Sequence, residues 1–389
     1  MALVSHLSNG ELAEWCEQHL VGAVDVAHEV GERVRGADVT RPAEKVDRRH
    51  WSQVARTFSA RLSALVQAAP PYTTLLGLIR SGLASWDWAH AQAARYPTHA
   101  RLPAADRARA LDFRPTPTGW LDLRVAHERG AAVLEVDQPN TLPPVHEPML
   151  TELFDRIRAY LWEHAPLGHV GGPGREAGLA RVSWLLGAFA YAYRADTTHP
   201  VFHLFKEGSP TLGQLHALAD DTAITDPLAL IHRLVTTGVL DDLRALTGSR
   251  AVGEPWGVTA PVVFDHWDDG TLLLTGPRGS TLLDVNCAVR VDSGQRAHRW
   301  VWNLLGAVWL DTADTHRIRT VAVYFARHGI LLTWPVDVLA ELTLRGADPA
   351  EAQARFVTLA GQRRDEDYAR RLRWRASPTT QAHQPAADR

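Results

Sequence analysis

A chain of 389 residues exceeds the usual span of one domain, so two or three folding units are expected. With 46% hydrophobic and 22% charged residues it is composed like a globular protein that can bury a large core. The formal net charge of −3 excludes a uniformly basic nucleic-acid binder, so any contact with DNA or RNA must come from a local arginine patch and weaken with salt.

Lys45 and Lys206 are the only lysines among 41 basic residues, a bias expected of a GC-rich, actinobacterial-type genome. Cys16 and Cys287 are too few for a disulfide framework and too far apart for a metal knuckle, which fits a reducing cytoplasm. No run reaches the ~18 apolar residues of a membrane span. The N-terminus also lacks the basic start and apolar middle of a signal peptide.

Leu12, Trp15, Leu20, Val24 and Ala27 predict a helix from Glu11 to about Val34. Val54, Phe58, Leu62 and Leu65 form one stripe of a helix from Trp51 to Ala69, stopped by Pro70 and Pro71. A third helix is expected from Thr73 to Ala94. Prolines then punctuate the chain from Pro97 to Pro148, with strand-like runs at Trp120 to Val125 and Ala132 to Val136.

A helix from Met149 to Glu163 leads to a flexible joint at Gly168 to Gly174. After it, Leu179, Val182, Leu186, Phe189 and Tyr193 recur at helical steps. Further helices are expected at Thr211 to Ala219 and Pro227 to Leu246. Strand character takes over at Val262 to Phe264, Leu272 to Thr275, Thr281 to Val285 and Thr320 to Ala326, with one helix, His298 to Thr312, among them. From Pro349 the chain is helical and charged, and after Ser377 a Pro, Gln and Ala tail is expected to be disordered. These textures divide the chain into a mostly helical region, 1–170, an α/β core, 171–348, and a charged helix with its tail, 349–389.

The most informative stretch is the hairpin after Trp267. Asp269 opens one strand and Asp284 lies near the end of the next, 15 positions later, with a turn around Gly276, Pro277, Arg278 and Gly279. Two carboxylates brought together on stiff strands would suit a hard cation such as Mg²⁺ or Mn²⁺. The plain alternative is that Asp268-Asp269-Gly270 is hairpin punctuation and Asp284 caps a local backbone group.

With the helix and strand that follow, this order resembles the PD-(D/E)XK nuclease superfamily, over roughly Pro261 to Leu342. Asp269 takes the first acidic position, Asp284 the second, and Asn286 falls where the family's lysine belongs. Trp302-Asn303-Leu304-Leu305-Gly306-Ala307 is similar to a worn Gln-Leu-Leu-Gly-Tyr. Val323-Tyr324-Phe325-Ala326-Arg327 and Leu331-Leu332-Thr333-Trp334 resemble the closing strands.

The resemblance implies a mixed β-sheet flanked by helices, a restriction-endonuclease-like core, beside a mostly helical N-terminal region. It also implies a divalent-metal-dependent nuclease with Asp269 and Asp284 as the Mg²⁺ or Mn²⁺ ligands, Asn286 orienting the water, and DNA ahead of RNA as partner. Asparagine is neutral where the family has a cation. The same features therefore also suit an altered or inactive nuclease-fold module that binds nucleic acid or assembles with proteins, as in a defence or repair system, with the N-terminal helices available to protein partners.

Other signals have plainer readings. Gly171-Gly172-Pro173-Gly174-Arg175 lacks the Gly-Lys-Ser/Thr of a phosphate loop. His199 and His203 have zinc-like spacing, but Pro200 lies between them with no catalytic Glu. Arg363, Arg364, Arg370, Arg371, Arg373 and Arg375 alternate with acids and aromatics, which suits either phosphate contacts or a solvated helix laced with ion pairs. Trp300, Trp302 and Trp309 are expected to pack against the sheet.

Overall fold

The computed structural model describes residues 3–42, 46, 48–103, 107, 113–116, 119–122, 145–194, 197–248, 253–259, 261–264, 268–269, 272–291 and 298–376. The strand-like run at 132–136 and the tail after Ser377 lie outside the described residues.

The chain opens with a helical turn α1 (Leu3–His6), α2 (Glu11–His19) and α3 (Ala23–Arg35). The single helix expected from Glu11 to Val34 is therefore broken, and Gly22 is the reason. Its N–H donates to the Thr343 carbonyl at 2.9 Å, and a Cβ at this position would lie 1.9 Å from the Leu342 carbonyl oxygen. A close backbone crossing takes the place of a continuous helix.

Helix α4 (Arg48–Val66) ends ahead of the proline pair. The helix expected from Thr73 to Ala94 divides into α5 (Tyr72–Arg80) and α6 (Trp86–Ala94). Gly82 takes φ +75, and Ser85 caps α6 by accepting the Trp88 N–H at 3.1 Å. After the turn α7 (Pro97–Ala100), β1 (Phe113–Thr116) pairs antiparallel with β2 (Gly119–Asp122).

Helices α8 (Glu147–His164) and α9 (Pro173–Arg194) follow. The glycine segment between them is tied down: Gly168 donates its N–H to Leu65 O at 2.8 Å and Gly171 to Glu176 Oε1 at 2.7 Å. Next come α10 (Pro200–His203), α11 (Leu212–Leu218), α12 (Asp221–Thr236) and α13 (Val239–Ala245). α12 begins before Pro227 because Asp220 caps it, accepting the Ala223 N–H at 2.8 Å. Left-handed Gly238, at φ +78, separates it from α13.

The remaining strands are β3 (Gly257–Thr259), β4 (Val262–Phe264), β5 (Asp268–Asp269), β6 (Leu272–Gly276), β7 (Gly279–Asn286), β8 (Ile318–Phe325) and β9 (Ile330–Pro335). Five of them form one sheet in the order β3-β6-β7-β8-β9, and β4 pairs with β5 separately. Neighbours are antiparallel except β7 and β8, which run parallel. That parallel pairing requires a crossover, supplied by α14 (Arg299–Leu310). Helices α15 (Val336–Leu344) and α16 (Pro349–Ala376) complete the described chain.

Strand alternation sends side chains to two separate cores. On one face Leu273, Leu282, Val321, Val323 and Phe325 pack with Trp302 and Trp309 of α14, with α2, α3 and α15, and with Phe356 of α16. On the other, Leu272, Leu274, Leu283, Ala322 and Tyr324 meet Phe58 and Leu62 of α4 and Leu230 and Leu234 of α12. A third cluster unites α5, α6, α8, α9, α10 and α11 around Phe154, Phe189 and Phe202. The protein is thus an α/β structure with a mixed open sheet, flanking helices and a helical cluster. Helices from the beginning and the end of the chain share the core on the α14 side. Among the described residues no helix is long and apolar enough to cross a membrane.

Close helix crossings make one testable demand. A Cβ on Gly77 would lie 2.1 Å from Phe189 O, whereas one on Gly361 of α16 meets nothing within 4 Å. Gly77→Ala should cost about 2 kcal/mol or more through overpacking. Gly361→Ala should gain about 0.5–1 kcal/mol from helix propensity, both read by urea denaturation.

Candidate functional site

The β6–β7 hairpin closes through Pro277 and Arg278, with Gly276 opposite Gly279 and Leu272 opposite Leu283. Asp284 lies one residue beyond the last of these pairs, opposite Val323 of β8. It shares a strand face with Leu282 and Asn286, the side covered by α14. Asp269 sits in β5, opposite Val262, ahead of β6, and its side chain lies outside the described residues.

The local hydrogen bonds of β7 give these side chains present occupations. Asp284 Oδ1 accepts the Val285 N–H at 2.9 Å. Asn286 Oδ1 accepts the Ala288 N–H at 2.8 Å, which turns the chain out of the strand. What asparagine offers here is an acceptor committed to the backbone, where a lysine would bring a mobile positive charge. Of the two lysines, Lys45 lies outside the described residues and Lys206 is exposed just after α10.

A different constellation, which the sequence reading did not find, occupies the carboxyl ends of β7 and β8. Arg327 lies two residues beyond the end of β8 and is fully buried. Its guanidinium grips Asp226 of α12 in a two-pronged pair, Nη1 to Oδ1 at 2.8 Å and Nη2 to Oδ2 at 2.6 Å. Its Nε donates to Cys287 O at 2.7 Å and its Nη1 to Thr40 O at 3.1 Å, while the Trp51 ring lies 4.6 Å away. His50 Nε2 sits 3.1 Å from Asp226 Oδ2. One buried cation therefore joins two strand ends, two helices and the 38–41 segment.

Positive charge gathers around this end. Burial, Arg233, Arg327 and Arg41 hold His328 below the ordinary imidazole range, against a hydrogen bond that the ring donates to the Val289 backbone. Arg41 is exposed there, and Arg49, at the start of α4 next to His50, is exposed and acts on His199. Burial pushes the Cys287 thiol up to about 12, so it is an inert core group.

Arg363 instead pairs with Glu11 at 2.9 Å and Glu366 at 2.7 Å, and Arg364 lies 3.4 Å from Asp365. The described part of that C-terminal stretch is thus laced with ion pairs. The side chains of Arg370, Arg371, Arg373 and Arg375 lie outside the described residues. His199 is buried and accepts the Val201 N–H on Nδ1 at 3.2 Å, capping α10, while His203 is exposed.

A bound Mg²⁺ or Mn²⁺ would need Asp284 and Asp269 as ligands. Of these, Asp284 already accepts the Val285 N–H, and the Asp269 side chain lies outside the described residues. Among the described residues no group of three or more His, Cys, Asp or Glu side chains converges as a metal site.

No family model, curated protein or solved structure matches the chain.

Burial, then Arg56, Arg49 and His203, lower the His199 pKa from 6.5 to about 4. The folded state therefore holds this imidazole neutral while the unfolded chain takes up a proton below pH 6.5. Its stabilising contribution is complete above 6.5 and is lost as pH falls towards 4, by about 3 kcal/mol at most. In urea titrations across this window His199→Gln, which keeps an acceptor for Val201, should lose stability less steeply than the wild type.

Proposed function

We propose that the chain carries a restriction-endonuclease-like core that binds nucleic acid, DNA ahead of RNA, without cleaving it. Asn286 carries the reading. It stands where the resemblance requires the charge-stabilising lysine, and its amide oxygen is spent on the Ala288 N–H. Removing a full positive charge from the place where negative charge builds in phosphodiester hydrolysis removes an electrostatic contribution to rate.

The connectivity supports the nuclease-like part. An antiparallel run β3-β6-β7, a crossing helix α14 and a parallel β8 follow the order that the resemblance implies. Nucleic-acid contact is supported by the exposed Arg41 near the strand ends and the exposed Arg49 at the start of α4, because arginines grip phosphates whatever the base sequence. In open α/β sheets ligands commonly lie outside the carboxyl ends of strands. The N-terminal helices, which share the α14-side core, are the place for protein partners in this reading.

The test is oligonucleotide and plasmid binding and cleavage with Mg²⁺ and Mn²⁺, wild type beside Asp284→Ala. Binding by both proteins without cutting is the expected result. Cutting by the wild type that disappears in Asp284→Ala would establish the enzyme instead. Arg41→Ala with Arg49→Ala should weaken binding by about tenfold and lower the salt slope by about two phosphate contacts. Unchanged binding in that variant would remove the arginine edge from the account.

A further inference from the structure

The five-stranded sheet has two edges, β3 and β9, and the chain treats them differently. At β3 the edge is closed. Trp256, just ahead of the strand, donates its N–H to Val66 O at 3.2 Å, and Thr259 donates to Gln67 Oε1 at 3.2 Å, both acceptors lying at the carboxyl end of α4. At β9 the edge is open. Ile330 to Pro335 pair with β8 in an unbroken antiparallel register, and among the described residues no hydrogen bond reaches the outer side of Ile330 to Trp334. Every second residue of an antiparallel strand turns its N–H and C=O away from its neighbour, so this side offers a row of donors and acceptors to another strand.

Edge strands are ordinarily guarded by a charge or a bulge of their own, and β9 has neither. Its sequence, Ile-Leu-Leu-Thr-Trp-Pro, is uncharged, and its proline stands only at the last position. Charge lies instead on the two helices that pack on the strand. α15, with Leu339 and Leu344 in the α14-side core, packs on one face, and α13, with Leu240 and Leu243 in the opposite core, packs on the other. Asp337 and Glu341 are exposed on α15, and Asp241 and Asp242 on α13. Asp241 has Arg244 at 3.7 Å, and Arg345 is engaged by Asp25. Among the described residues Asp242, Asp337 and Glu341 have no cationic partner. Val338 and Leu342, one turn apart on α15 beside these acids, are 40% and 47% exposed.

We infer that β9 accepts an extended, basic peptide segment of a partner protein as a sixth strand of the sheet. Main-chain hydrogen bonds supply the affinity, and the acids on α13 and α15 select Arg or Lys side chains. Charge complementarity decides between occupants. Side chains of an added strand alternate between the two faces, so whichever way its cations point they meet one of the acid-bearing helices. A second copy of this chain fits the backbone equally well, but a two-fold axis between paired β9 strands sets α15 against α15 and α13 against α13, acid against acid. The groups that repel a second copy are those that attract a basic strand. Apolar side chains among the cations would cover Val338 and Leu342. The inference does not rest on the nucleic-acid reading, whose contacts are arginines, and the two can fail independently.

The experiment is fluorescence-anisotropy titration of the full chain with a labelled, end-capped peptide of alternating arginine and valine matched in length to β9, beside its glutamate–valine counterpart. The arginine peptide should bind at least about tenfold more tightly. Backbone N-methylation of that peptide keeps its charge, removes its donors and should abolish binding. Thr333→Lys places a like charge on the exposed edge and should weaken the arginine peptide by at least about tenfold. The triple variant Asp242→Asn, Asp337→Asn, Glu341→Gln leaves β9 intact and should erase the preference between the two peptides. Equal binding of both peptides to the wild type, binding that survives N-methylation or Thr333→Lys, or no binding to a chain whose circular dichroism and melting are native would each overturn the inference. Sedimentation showing a dimer that Thr333→Lys dissolves would overturn it too, by placing a second copy on the edge.

Discussion

The arrangement at the carboxyl ends of β7 and β8 depends on one buried ion pair, Arg327 with Asp226. A guanidinium with no exposed surface would cost several kcal/mol if left alone. Here the cost is offset on every side: two contacts to Asp226, donation to Cys287 O and Thr40 O, and the Trp51 ring. The pair fixes where β8 ends relative to α12, and it holds the 38–41 segment against the strand ends. Arg41 and Arg49 project from the two segments so anchored. A structural charge inside thus sets the place of the charges outside.

The same contact marks the limit of what the sequence discloses. The strands at 272–275, 281–285 and 320–326 and the helix between the last two are local patterns of alternation and periodicity, and they appear close to where those patterns put them. Asp226 and Arg327 are 101 positions apart, and nothing near either residue announces the other. Asp226 also precedes Pro227, which reads as a helix start, whereas Asp220 caps the helix earlier. Tertiary crossings account for the misplaced helix break near the N-terminus. Gly22 looks tolerable inside a helix until Leu342, far along the chain, is found against it. An arginine two residues beyond a buried strand was the one available hint of the pair, and it calls for a partner that only the fold supplies.

Architecture and chemistry separate here in an instructive way. The sheet order accommodates a nuclease-like core, but chemistry resides in side chains, and fold alone does not assign it. Asp284 and Asn286 are occupied with their own backbone neighbours. Among the described residues, exposed charge near the strand ends is carried by Arg41, which acts on His328.

The most direct measurement is a double-mutant cycle on Arg327 and Asp226, with Arg327→Met, Asp226→Leu and the double variant compared by urea denaturation. Each single change should cost about 3–5 kcal/mol by stranding the other charge, and the double variant should recover at least about 2 kcal/mol of their sum. Costs that simply add, within about 0.5 kcal/mol, would mean that the pair does not organise the sheet's end, and the account would fail there.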